Sequence, residues 1–160
     1  MEFSDIIKAR HSVRKYEARP VERELLDAIV SAAGTAPSSR NSKSTAFMVI
    51  EDRDTIAALS EMRESGSAFM KDAPAAIVVM GDESKTDLWV DNCAISATFV
   101  QLAVTDLGLG SCWVHVNGRP RSRTDASMGD AETYVRNLLG VKENMRVLCV
   151  VAIGYPDGSK

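Results

Sequence analysis

The sequence predicts one α+β domain spanning residues 1–160, with a central mixed β-sheet flanked by helices. Three observations predict it. The chain has 160 residues, 45% hydrophobic and 26% charged, enough to bury a core without disulfides. Four short apolar runs rich in β-branched residues recur along it, and helical patterns lie between them.

In chain order, Asp5 to Arg10 carries a short helical pattern. Val21 to Ala33 carries a stronger one, with Leu25, Ile29 and Ala32 to Ala33 on one face. Ala36-Pro37-Ser38-Ser39-Arg40-Asn41-Ser42 is dense in turn formers and reads as a loop. The strands are expected at Ala46 to Ile50, Ala73 to Met80, Ser111 to Val116 and Val147 to Ile153. Their continuous apolarity is that of strands covered on both faces. Further helices are expected at Asp54 to Met62, Lys85 to Leu107 and Asp130 to Leu139. Leu88 to Leu107 is apolar almost all round, so it needs cover on every side. The domain itself or a dimer interface would provide that.

Composition excludes several classes. The net charge of −3 gives no footprint for nucleic acid. No uncharged run is long enough to span a bilayer, and Met1 to Arg10 is too polar for a signal peptide. Cys93, Cys112 and Cys149 are odd in number and widely spaced, as for reduced thiols, so a cytoplasmic location is expected.

Three segments carry candidate chemistry. In Arg10-His11-Ser12-Val13-Arg14, an extended chain would turn residues 10, 12 and 14 the same way. Two guanidiniums and a hydroxyl then suit a phosphate, although a solvated basic turn would have the same composition. Pro37-Ser38-Ser39-Arg40-Asn41-Ser42, followed by Phe47, offers short hydrogen-bonding groups that could meet the polar edge of a planar heterocycle. Ordinary loops use the same residues. Gly108-Leu109-Gly110-Ser111-Cys112-Trp113-Val114 is no dinucleotide fingerprint: Trp113 occupies the third glycine position, and the order is helix, glycines, strand. Gly108 is expected to end the long helix in a left-handed conformation, and Gly110 to let the chain turn into the strand.

Together with Ala152-Ile153-Gly154-Tyr155-Pro156, these motifs stand in the order and spacing of the FMN-dependent nitroreductase family, which the chain resembles from residue 6 to residue 156. The resemblance implies a nitroreductase-like fold and a homodimer holding FMN at its interface. By position, Arg10 and Ser12 would hold the FMN phosphate, and Arg14 would lie near the phosphate or the N1/O2 edge of the flavin. His11 would line the cofactor. Pro37, Ser38, Ser39 and Asn41 would reach it from the partner subunit. The strand carrying Cys112, Trp113, Val114 and His115 would present backbone to the ring. The implied reaction is a two-step hydride exchange, from NADH or NADPH through flavin to a nitroaromatic, quinone or similar small-molecule acceptor. Reductive dehalogenation, flavin breakdown or flavin binding with little turnover are the alternatives. No residue is assigned a direct catalytic role, because the cofactor carries the chemistry.

The chain departs from the family pattern in two places. Lys43-Ser44-Thr45 stands where Gln-Pro-Trp is usual. Only Asp157-Gly158-Ser159-Lys160 follows Pro156, leaving Lys160 as the candidate for the usual phosphate-binding cation. Other groups have plainer readings. Cys112 and His115 lack the second pair of a zinc site. Arg119, Arg121 and Arg123 form a loop that could read a 2′-phosphate or simply be solvated. Trp89, Phe99 and Trp113 read as core, and Glu61 and Glu64 as an exposed helical face.

Overall fold

The computed structural model describes residues 1–159. Nine helices and strands follow one another: α1 (Phe3–Ala9), α2 (Arg23–Ala33), β1 (Thr45–Ile50), α3 (Arg53–Ser60), β2 (Ala75–Asp82), α4 (Trp89–Asp106), β3 (Gly110–His115), α5 (Ala131–Leu139) and β4 (Met145–Gly154). The strands form one sheet in the order β1-β2-β4-β3, and each neighbouring pair is antiparallel. The expected mixed sheet is therefore corrected to an antiparallel one. Parallel pairing survives only as the isolated bridge between Ser12 and Ser111. Continuous apolarity reports cover on both faces, not strand direction, and here both faces are covered.

That cover follows from strand alternation. Ile77, Val79, Val151 and Ile153 turn to one face, where they meet Leu26 and Ile29 of α2 and Cys93, Ala97 and Val100 of α4. Val78, Val150, Ala152 and Val114 turn to the other, against Leu59 of α3 and Val135 of α5. Register shifts between Val79 and Met80, which pair with Cys149 and Val147. Leu148 is thus an extra residue, and it joins Cys149 in the first cluster.

Local signals set the helix ends. Asp52 caps α3 by accepting from the Thr55 amide at 2.9 Å, and Asp130 caps α5 by accepting from Thr133 at 2.8 Å. Gly108 follows α4 at φ +76°. Its amide donates to Thr105 and that of Leu109 to Val104, the paired closure that a left-handed glycine permits. Gly110 has a different role from the expected turn. A Cβ there would stand 2.8 Å from Val13, so the glycine lets residues 12 and 13 lie against β3.

Helix α4 is covered on one side only. Trp89, Cys93, Ala97, Val100 and Val104 are buried, whereas Val90 and Ile95 are each 38% exposed. Beside it α1 buries no residue. No helix among the described residues is long and apolar enough to cross a membrane.

Candidate functional site

Residues 10–14 leave α1 in extended conformation, beginning with Arg10 at φ −60°, ψ 121°. The Val13 amide donates to the Ser111 carbonyl at 2.9 Å, and Val13 packs into the core. Tyr16 is buried in the same cluster as Val13, whereas Ser12 and Arg14 are exposed. Ser12, Arg14 and Tyr16 meet around Cys112: Ser12 hydrogen-bonds its thiol, while Arg14 and Tyr16 interact with it electrostatically. Burial pushes the Cys112 thiol up, against the pull of Arg14 and Ser12, so it stays protonated at neutral pH. Arg14 also reaches over the Phe69 ring at 6.0 Å. Neither Arg10 nor Arg14 is ion-paired to a carboxylate among the described residues. The Tyr16 hydroxyl donates to the Val13 carbonyl at 2.5 Å, tying the segment together. His11 is exposed, its Nδ1 2.9 Å from the Ala9 carbonyl. Two guanidiniums without a carboxylate partner and a hydroxyl on one extended stretch are a donor set that fits a phosphate.

The second segment is a strained loop. Ser39–Asn41 makes one tight turn, and Arg40, Asn41 and Lys43 sit at φ 50°, 53° and 47°. Asparagine tolerates the left-handed region; arginine and lysine gain nothing there, and each costs on the order of 1 kcal/mol. Asn92 of α4 holds the loop. It is 2% exposed, and its Oδ1 accepts from the Ser39 amide at 2.9 Å. Its Nδ2 lies 3.0 Å from the Ser39 hydroxyl, 3.1 Å from that of Ser44 and 3.3 Å from that of Ser42. The Ser38 hydroxyl accepts from the Lys43 amide at 3.0 Å. The serine hydroxyls thus hold the loop itself, and Pro37, Arg40, Asn41 and Lys43 are the exposed groups. Asn92 was missed by sequence reasoning, and an amide inside the apolar run of α4 was its only signal.

The third segment is β3, the edge strand beside β4. Cys112 and Val114 are buried, so their side chains serve the core and only their backbone can face a ligand. Trp113 and His115 are half-buried. The Trp113 Nε1 donates to His115 Nδ1 at 3.2 Å, with the rings stacked 6.2 Å apart. Burial, then Arg119 and Arg63, hold the His115 imidazole below its ordinary range, against a backbone contact with Asn117. It is neutral at pH 7.

The structure joins residues 10–14 to β3 but sets the 37–43 loop apart. That loop feeds β1, at the opposite edge of the sheet. Three strand spacings separate the edges, roughly 14 Å. The two sites are also at opposite ends of their strands. Ser12 bridges to Ser111 at the start of β3, a level where β4 ends at Gly154, whereas β1 starts level with Gly81, near the start of β4. Lys160 lies outside the described residues. A cleft of about 480 Å³ beside residues 14–20 shares only Arg14 with this set. Its cations, including Arg19, Arg53 and Lys71, are interleaved with Glu17, Glu51 and Asp72, so it supplies its own counter-charge.

The model of the nitroreductase family matches residues 7–66 and 57–155. A protein of Archaeoglobus fulgidus, provisionally named NADH dehydrogenase/NAD(P)H nitroreductase, is 35% identical over 159 residues, covering 97% of this chain and 86% of its own. A protein of Methanothermobacter thermautotrophicus with the same provisional name is 33% identical over 98% of this chain and 78% of its own. Among solved structures, an FMN-dependent nitroreductase from Clostridium difficile is 39% identical, with a TM-score of 0.90 over 97% of this chain and 88% of that one.

Proposed function

The chain belongs to the nitroreductase family, and from that premise we propose that it is an FMN-dependent oxidoreductase passing hydride from NADH or NADPH to a nitroaromatic, quinone or similar small acceptor. One observation carries the reading. The phosphate-fitting segment 10–14 and the loop 37–43 lie at opposite edges of one sheet, so only a second copy can bring them to one ligand. The uncovered faces of α1 and α4, with Phe3 66% and Ile95 38% exposed, offer the apolar surface for such a homodimer.

FMN, when bound, would supply the hydride-transfer chemistry. The chain's residues bind and orient it. Arg10 and Ser12 hold the phosphate. Arg14 places positive charge near the phosphate or the pyrimidine edge, where negative charge collects on reduction. The backbone of β3 from Cys112 to His115 lines the ring, with the neutral Trp113–His115 pair held beside it. His11 completes the lining. Pro37, Ser38, Ser39 and Asn41 approach from the partner subunit, their loop held in shape by Asn92.

The spectrum of the freshly purified protein, followed by FMN titration and assay of NADH and NADPH oxidation with menadione or a nitrofuran, tests the reading. The expected result is a yellow dimer with about one FMN per chain whose donor oxidation is accelerated by the acceptor. A protein that takes up no FMN and oxidises neither donor overturns it.

A further inference from the structure

Two aromatic rings on β3 hold one another through a bond that survives only while one of them is neutral. Trp113 and His115 alternate with buried Val114, so both turn to the same face of the strand. On that face Trp113 packs against the first cluster. Both rings are half-buried. The Trp113 Nε1 donates to the His115 Nδ1 at 3.2 Å, and the rings lie 6.2 Å apart at 18° to one another. An indole nitrogen can only donate, so Nδ1 offers its lone pair and the single proton of the neutral imidazole is on Nε2. A second proton would go to Nδ1. Two N–H groups would then point at each other across 3.2 Å, and the bond must break.

The groups around His115 favour the closed, neutral pair. Burial, then Arg119 and Arg63, oppose its second proton, against a backbone contact with Asn117. Cys149 is its register partner on β4, a thiol that burial pushes up and keeps uncharged. The buried side chains of α4, which packs on this face, are uncharged as well. Cys93 among them is pushed up to about 12. The pair is therefore closed at neutral pH and opens as pH falls through a value below the ordinary 6.5 of histidine.

We propose that Trp113 and His115 form a proton-operated lock on β3, which closed leaves the strand uncharged beside the flavin and open presents a cation to it. The lock itself rests on the geometry of one chain, and its action on the flavin rests on the proposed function. His115 ends β3, the strand which that reading sets against the ring. A positive charge there favours the reduced, anionic flavin, so the open state raises the flavin potential.

NMR of the full chain as purified, followed over pH, tests the lock without turnover. The His115 imidazole and the Trp113 indole N–H are expected to move with one common midpoint, while the Trp89 indole N–H stays still over the same range. Trp113→Phe removes the bond that favours the neutral ring and raises the His115 protonation constant about fivefold to tenfold. His115→Gln keeps an acceptor for the indole without a titrating group, so the Trp113 signal loses its pH dependence. In redox titration of the FMN-loaded protein, the potential of the unmodified chain rises more steeply towards acid than that of His115→Gln. An indole N–H that ignores the His115 titration, or a Trp113→Phe variant whose His115 titrates unchanged, overturns the lock even where FMN binds and turnover proceeds. Equal slopes in the two redox titrations overturn its action on the flavin. Coupled titration in a protein that takes up no FMN supports the lock while the proposed function fails.

Discussion

At the scale of single residues, the outcome depends on whether a charge has a partner inside the chain. Glu132 and Arg146 do. Two Glu132 oxygens accept from Arg146 Nε and Nη2 at 2.8 Å each, and also from the Val147 amide at 3.0 Å and Asn117 Nδ2 at 3.2 Å. Burial pushes this carboxyl up, but the hydrogen bonds from Arg146 and Val147 outweigh it and leave it below the ordinary 4.5. Because the folded value is lowered, the stabilisation is complete above about 4.5 and is lost as pH falls through that lower value. Glu132→Gln leaves Arg146 without its main partner and is expected to cost about 3 kcal/mol at neutral pH. Urea unfolding checks this, and the gap to the unmodified protein should narrow in acid. Arg14 has no such carboxylate. Under the proposed function Arg14→Ala weakens FMN binding by about tenfold to a hundredfold, the worth of a charge-assisted contact, and lowers the flavin potential. Titration by flavin fluorescence and a redox titration measure the two effects, and unchanged values would remove Arg14 from the site.

At the scale of elements, the candidate site is built from segments that cannot hold their shape alone. The loop at 38–44 has three left-handed residues other than glycine, and α4 stabilises it through one buried amide. Asn92→Ala removes that support and leaves the Ser39 amide without its partner. The expected result is faster hydrogen exchange at Asn41 and Ser42, a stability loss of about 2 kcal/mol and weaker FMN binding. Exchange at the β2–β4 pairing should stay slow. Residues 12 and 13 depend likewise on Gly110. Gly110→Ala drives a methyl into Val13, since its Cβ would stand 2.8 Å from that side chain. A loss of about 1–3 kcal/mol follows, with displacement of the segment bearing Ser12 and Arg14. Chemical shifts of Val13 and Ser111 would report it.

At the scale of the whole molecule, one chain sets the segment 10–14 and the loop 37–43 at opposite edges of its sheet and leaves α4 incompletely covered. Under the proposed function, a charge on the uncovered face of α4 should separate the dimer and empty both sites together. Ile95→Lys is expected to yield a folded monomer by sedimentation that no longer retains FMN, because the buried β2 and β4 do not depend on that face. A single chain of the unmodified protein that holds FMN tightly would contradict this arrangement.

The sequence by itself determined the α+β class, the positions of all nine helices and strands to within a few residues, the left-handed Gly108 and the four motifs that mark the family. These follow from short-range patterns: apolar periodicity, caps, turn formers and spacing. Only the tertiary structure decided that the sheet is antiparallel, because apolarity reports cover and carries no direction. It also decided that Arg121 is structural, its guanidinium over the Tyr134 ring, and that Asn92 holds a loop some fifty residues earlier in the chain. Those outcomes depend on which distant segments become neighbours. No pattern along the chain records that, since the contacts form only when both faces of the sheet are covered.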